Sequence, residues 1–211
     1  MSARHRKEKP DPLPVRATPV LRGPRVTLRP PAAADAEAAR RIGLHPEILR
    51  FFGDQPEDEW RELTPEESRE LLEALASTED RVTWVVDAGR GFIGSASLHS
   101  FGGDGTTAAY AIGLLAPDVL GHGLGTEATR LVLAHAFDDL GLEELTVRVL
   151  EFNSRAIGCY ARCGFSSLRR EPDAVTLDGI TYADVIMHLE AGQYRRIVAA
   201  WDGEVEPLEP S

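Results

Sequence analysis

The sequence predicts one α+β domain, an α/β sandwich around a mixed sheet, on three observations. A chain of 211 residues holds one sizeable core with tails. Its 43% hydrophobic and 27% charged residues match an ordinary folded chain. Strand-like runs follow one another between residues 81 and 116, then alternate with helical patterns, and no segment repeats.

The first 22 residues are basic and proline-rich without an apolar core, so they read as a flexible arm rather than a secretory leader. "RVTLRP" (25–30) alternates and stops at prolines, as a first strand does. Asp35 is the expected cap of a helix through "AEAARRIG", which Gly43 ends. "HPEILRFFG" reads as a short second helix closed by Gly53. A third opens with Thr64 as N-cap, Pro65 at the first helical position and Glu67 at the capping-box position. "RVTWVVDA" and "GFIGSASLHSF" form a hairpin around Gly89–Gly91, and "TTAAYAIGLLA" is a further strand ended by Pro117. Then come a glycine turn, a helix from Thr126, the strand "ELTVRVLEF" and a helix stopped by Gly164. Last is a hairpin from Val175 turning at Asp178–Gly179. The domain is expected over residues 23–194, with a short helix and an acidic tail over 195–211.

The net charge of -11 makes the chain a poor general binder of nucleic acid. No apolar run approaches the roughly 18 residues of a membrane span. The charge is uneven, with eleven acids from Asp54 to Asp80 against Arg61 and Arg69. That stretch is a solvated helix face or a funnel for a cationic ligand, and charge alone does not choose. Cys159 and Cys163, four apart on one helix, suit two reduced thiols and a cytoplasmic compartment.

"LGHGLGTEATRL" (120–131) places Gly121, Gly123 and Gly125 directly before a helix. A helix N-terminus carries unpaired amides and partial positive charge, and glycines let an anion approach them. A P-loop is excluded because no Gly-Lys-Ser/Thr follows, and the spacing disfavours a dinucleotide fold. Alone, the turn is either a plain helix start or an anion cradle.

About thirty residues later stands "NSRAIGCYARCGF", with Asn153, Tyr160, Gly164 and Phe165. Together the two motifs resemble the GNAT superfamily of acetyl-CoA-dependent N-acetyltransferases. "VTLRPPAAADAEA", "HPEILRFFG", "GFIGSASL", "GHGLGTEA" and "DGITYADVIMHL" fall in the order of its ribosomal-protein N-acetyltransferase branch, over roughly Gly23 to Tyr194. The resemblance implies a mostly antiparallel sheet with helices on both faces and two strands splayed into an acyl-CoA cleft. The glycine turn corresponds to the family's Q/R-x-x-G-x-G/A loop, with Leu120 replacing its Gln or Arg. The pyrophosphate grip would then fall to main-chain amides of Gly121, His122, Gly123, Leu124, Gly125 and Thr126. Asn153 would bond the cofactor arm, cap its helix, or do both.

By the same resemblance, a bulge in the Tyr110–Ala116 strand exposes an amide near Leu114 or Leu115 for the oxyanion and pantetheine. Tyr160 hydrogen-bonds or protonates the leaving thiolate. Full transfer from a phenol of pKa about 10 to a thiolate of about 8.5 is uphill by roughly 2 kcal/mol. The base is open: the strand before the turn carries no carboxylate, leaving His99 or a glutamate of the acidic stretch. An α-amine, about a tenth neutral at pH 7, needs less help than a lysine. His45 to Asp58 borders the acceptor opening, with Phe51, Phe52 and Trp60 as its apolar wall or as core. No metal is expected. A protein N-terminal α-amine is the first acceptor, a polyamine or aminoglycoside the second. A non-catalytic acyl-CoA sensor and a structural partner protein are rivals of other classes. Homodimers are common in the family.

Overall fold

The computed structural model describes residues 18–55, 59–77 and 80–203. Its sheet has eight strands: β1 (Leu21–Arg22), β2 (Thr27–Arg29), β3 (Arg81–Asp87), β4 (Phe92–His99), β5 (Thr107–Leu114), β6 (Glu144–Leu150), β7 (Ser166–Leu177) and β8 (Ile180–Glu190). They lie in the order β1-β2-β3-β4-β5-β6-β8-β7. Every pair is antiparallel except β5–β6.

Strand alternation sends neighbouring side chains to opposite faces. Trp84 and Val86 join the large core with Tyr110, Leu145 and Leu189. That core is closed by helices α4 (Leu124–Ala134), α5 (Ser154–Arg162) and α6 (Ala191–Gly203). Val85 and Phe92 point the other way, against Ala39 of α1 (Asp35–Ile42) and Leu63 ahead of α3 (Pro65–Ala76). The short α2 (Pro46–Leu49) and a 3-10 turn (Arg50–Phe52) lie between α1 and α3 in sequence. Among the described residues no helix is long and apolar enough to cross a membrane.

Local chemistry explains the helix ends. Thr64 Oγ1 accepts from the Glu67 amide at 3.1 Å, and Glu67 Oε2 accepts from the Thr64 amide at 2.7 Å, the expected capping box. Asp35 does not cap α1. Its carboxylate is buried and accepts from Arg29 Nη1 and Nη2 and from the Ala32 amide, tying β2 to the helix. Asp178 and Gly179 both take positive φ, 51° and 77°, the two-residue turn that Asp-Gly favours.

Three boundaries differ from the sequence reading. Structure begins before residue 23: β1 pairs with β2, and Trp84 Nε1 donates to the Pro19 carbonyl at 2.8 Å. The rest of the expected arm, residues 1–17, lies outside the described residues. β7 starts at Ser166 rather than Val175, because its exposed charged half has two register shifts and no clean alternation. The break after Tyr194 falls inside α6, whose Tyr194 and Ile197 pack on the large core.

The site depends on where β5 and β6 part. They pair from Thr107↔Glu144 to Tyr110↔Val147 and no further. β5 continues beside β4 to Leu114, and β6 continues beside β8 to Leu150. The expected bulge is not in β5. The register shift lies between β3 and β4, where Val86 faces Gly94 and Asp87 faces Phe92, leaving Ile93 extra. A Cβ on Gly94 would lie 2.0 Å from the Gly113 carbonyl oxygen. Gly94→Ala is therefore expected to cost about 3 kcal/mol or more of stability. Denaturant melts check this, and an unchanged midpoint would sink the close-approach argument.

Candidate active site

A cleft of about 520 Å³ opens where β5 leaves β6. One wall is the glycine turn. Gly121 and Gly123 hold φ of 81° and 80°, a left-handed region that suits glycine. Among the described residues the first backbone bond into α4 is Glu127 N to Gly123 O at 3.0 Å, and the amides from Gly121 to Thr126 have no acceptor. A helix start leaves such donors free, and a phosphate satisfies them. Gly121, Gly123, Leu124, Gly125 and Thr126 line the cleft, and so does Leu120, which brings no side-chain donor. Arg162 of α5 adds positive charge to the cleft, and Arg155 lines it on the side of Phe51. Five lining residues with unpartnered amides, together with the Arg162 guanidinium, fit a diphosphate such as that of CoA.

Helix α5 forms the next wall. Asn153 Oδ1 accepts from the Ala156 amide at 3.1 Å, so its capping role is realised at the rim of the cleft. About two turns later, Tyr160 is only 4% exposed and reaches the cleft between Tyr110 and Phe165, with ring centroids 6.3 and 5.8 Å away. Burial pushes its phenol well above the usual value, and charge on Cys159 and Cys163 would push it further. Both cysteines are free thiols. Cys159 faces Thr126 Oγ1 at 3.4 Å, Cys163 Sγ donates to the Thr126 carbonyl at 3.7 Å, and the neighbouring Cys163 thiol leads in holding Cys159 below the ordinary thiol range.

Of the two expected main-chain donors, Leu114 and Leu115, the second is already engaged. The Leu115 amide donates to the Ile93 carbonyl at 2.9 Å, so it is not free for an oxyanion. Antiparallel ladders alternate. If Leu115 points at β4, then Gly113 and Ala111 do too, while Leu114 and Ile112 turn their amides toward the gap left by β6. Leu114 is therefore the cleft-facing donor, and Leu115 packs in the smaller core. His99 is also displaced. It pairs with Ala109, whereas Leu114 pairs with Gly94 at the other end of β4. Five strand steps put it about 17 Å along the strand from the level of Leu114. Burial, then Arg81, lowers its pKa.

The opposite mouth of the cleft is apolar and aromatic. Phe52 presses on β5 so closely that a Cβ on Gly113 would sit 2.6 Å from its ring, and Phe51 stacks under the Arg155 guanidinium at 5.7 Å. Trp60 is not part of this wall. It donates to the Ile42 carbonyl at 2.8 Å and lies 5.9 Å from the His45 ring. Helix α3 contributes no lining residue; its Glu66 and Glu67 pair with Arg69 and Arg61. Residues 56–58 and 78–79 of the acidic stretch lie outside the described residues. His122 is exposed, and its carbonyl rather than its ring is engaged.

Asp184 of β8 went unseen in the sequence. It is 7% exposed and is the only carboxylate lining the cleft among the described residues. Oδ2 accepts from Arg148 Nη1 at 2.7 Å, and Arg148 also reaches Glu171 at 2.7 Å. Asp184 stands opposite Leu150 of β6, which lies beside Gly53 on the aromatic side.

The family model described as the acetyltransferase (GNAT) domain matches residues 25–166. The chain is 25% identical over 141 residues to the spermidine N(1)-acetyltransferase of Escherichia coli (strain K12), covering 67% of this chain and 73% of the relative. Mycobacterium smegmatis RimJ in complex with CoA-disulfide superposes with a TM-score of 0.70 at 21% identity, over 87% of this chain and 93% of that one. Vibrio cholerae spermidine N-acetyltransferase in complex with CoA and spermine does so with a TM-score of 0.68 at 20% identity, over 82% and 99%. At these identities the two structures show a shared fold.

Proposed function

The chain belongs to the GNAT acetyltransferase family and is an N-acetyltransferase of amines, and from that premise we propose that it moves the acetyl group of acetyl-CoA to a protein N-terminal α-amine. The observation that carries the choice is the charge of the cleft. On the acceptor side Arg148, and Arg155 over Phe51, stand against Asp184, the only lining carboxylate among the described residues. A polycation would meet net positive walls, whereas an α-amine brings one charge and sheds it readily. The similarity to the E. coli spermidine enzyme keeps a small cationic amine as the second reading. An acyl-CoA sensor is the third.

In this reading the unpartnered amides of residues 121–126 hold the diphosphate, and Asn153 holds the arm. The acetyl thioester reaches through the β5–β6 gap. The amine enters past Phe51 and Phe52 and attacks the carbonyl, and the Leu114 amide meets the oxyanion. Collapse breaks the C–S bond as the Tyr160 hydroxyl hydrogen-bonds the departing sulfur. Asp184, with Oδ1 free of any protein partner, attracts the ammonium and accepts its proton through water.

Thiol release from acetyl-CoA is the direct test, run with N-terminal peptides, spermidine and an aminoglycoside. The peptide is expected to exceed the others at least tenfold in kcat/KM. Faster turnover of spermidine would establish the second reading, and tight CoA binding with no release from any acceptor the third. Asp184→Asn is expected to lower kcat/KM for the amine by roughly 10-fold, the loss of one charge-assisted contact, with KM for acetyl-CoA unchanged. Equal loss for both substrates would point to a misfolded cleft instead.

A further inference from the structure

We propose that Arg25, clamped by Glu127, is the positioning residue of the diphosphate turn and fills the role left by Leu120. The proposal rests on reading residues 121–126 as an anion cradle.

Arg25 is about a hundred residues from the turn in sequence, yet its Nη1 donates to the His122 carbonyl at 2.9 Å. Glu127, in the first turn of α4, holds it there. Its Oε1 accepts from the Arg25 amide at 2.7 Å and the Val26 amide at 2.9 Å. Its Oε2 accepts from Arg25 Nε at 2.8 Å. With both oxygens committed, the guanidinium has one orientation, against the back of the turn. A Cβ on Gly123 would lie 3.3 Å from Arg25 Nη2, and one on Gly23 would lie 2.7 Å from Glu127 Oε1. The carboxylate reaches the Arg25 and Val26 amides only because Gly23 has no side chain.

The consequence follows from peptide geometry. In a trans peptide the C=O and N–H point in opposite directions. Holding the His122 oxygen toward Arg25 therefore turns the Gly123 N–H away from Arg25, to the side where Gly123 lines the cleft. The same bond polarises the peptide and makes that N–H a stronger donor. Arg25 itself does not line the cleft, so it acts through the turn and not by touching the anion. It also neutralises Glu127, whose charge would otherwise stand one helical turn from a diphosphate.

This yields an ordered set of expectations. Arg25→Ala should raise Kd for CoA and KM for acetyl-CoA about tenfold, with kcat at saturation and KM for the amine nearly unchanged. Arg25→Lys should recover part of the loss. Arg25→Ala with Glu127→Gln should bind CoA more tightly than Arg25→Ala alone, because the uncompensated carboxylate is gone. Calorimetry with CoA and two-substrate kinetics read these values, and circular dichroism confirms folding. Unchanged CoA affinity in folded Arg25→Ala, or a fall in kcat together with a rise in KM for the amine, overturns the clamp. Gly125→Val, assayed alongside, separates the two ideas. If it abolishes CoA binding while Arg25→Ala does nothing, only the clamp fails; if neither changes CoA binding, the cradle fails with it.

Discussion

Tyr160→Phe is expected to lower kcat roughly 100-fold, at the low end for a positioned acid or donor, while CoA affinity stays within about twofold. The phenol is 4% exposed, and burial leads in raising its pKa. The hydroxyl therefore stays protonated through and beyond the ordinary tyrosine range. It can donate to a sulfur as negative charge develops, but passing its proton completely is more costly than for a free phenol. The interaction strengthens only toward the transition state, so its loss appears in kcat and not in binding. Phenylalanine keeps the edge contacts with Tyr110 and Phe165, so the fold is expected to persist. The raised pKa carries a second consequence: no fall in kcat below about pH 10 should trace to Tyr160. Single-turnover rates against pH check both points. A variant with wild-type rate in the chemical step would falsify the leaving-group role.

Much of the frame was legible because its signals are local. The Thr64–Glu67 box, the Asp178–Gly179 turn and the β3–β4 hairpin each lie within a few residues, where propensity and capping chemistry act. The glycine turn was legible for the same reason. Other features required the third dimension. Whether Leu114 or Leu115 faces the gap depends on ladder parity, and one bond, Leu115 to Ile93, decides it. His99 sits one strand from β5, but at the wrong end of the register. Asp184 lies in a β-rich run and looks like a solvent-facing acid until β8 is placed beside β6. Its one local trace is a carboxylate inside an otherwise buried apolar strand segment. The Arg25–Glu127 pair spans 102 positions and leaves no such trace.

Gly125→Val is expected to weaken CoA binding at least tenfold without loss of the fold, and it probes the cradle better than a change at Gly123. At Gly123 the backbone is left-handed and the missing Cβ points at Arg25, behind the turn. Valine there would strain the chain and break the clamp, so lost binding would have two causes. Gly125 is helical, and its Cβ would sit 3.7 Å from Leu114 Cδ1 and 3.9 Å from Cys159 Sγ, ordinary contacts inside the cleft wall. A Cβ fits at this position, and valine is no worse than glycine as a helix former. Its two methyl groups then occupy the space between α4, α5 and the β5 edge that the CoA arm requires. The melting temperature should hold or rise slightly, while calorimetry shows CoA affinity falling and KM for the amine staying level. The opposite pattern, a lowered melting temperature with full CoA affinity in the folded fraction, would mean that the diphosphate does not pass over these amides.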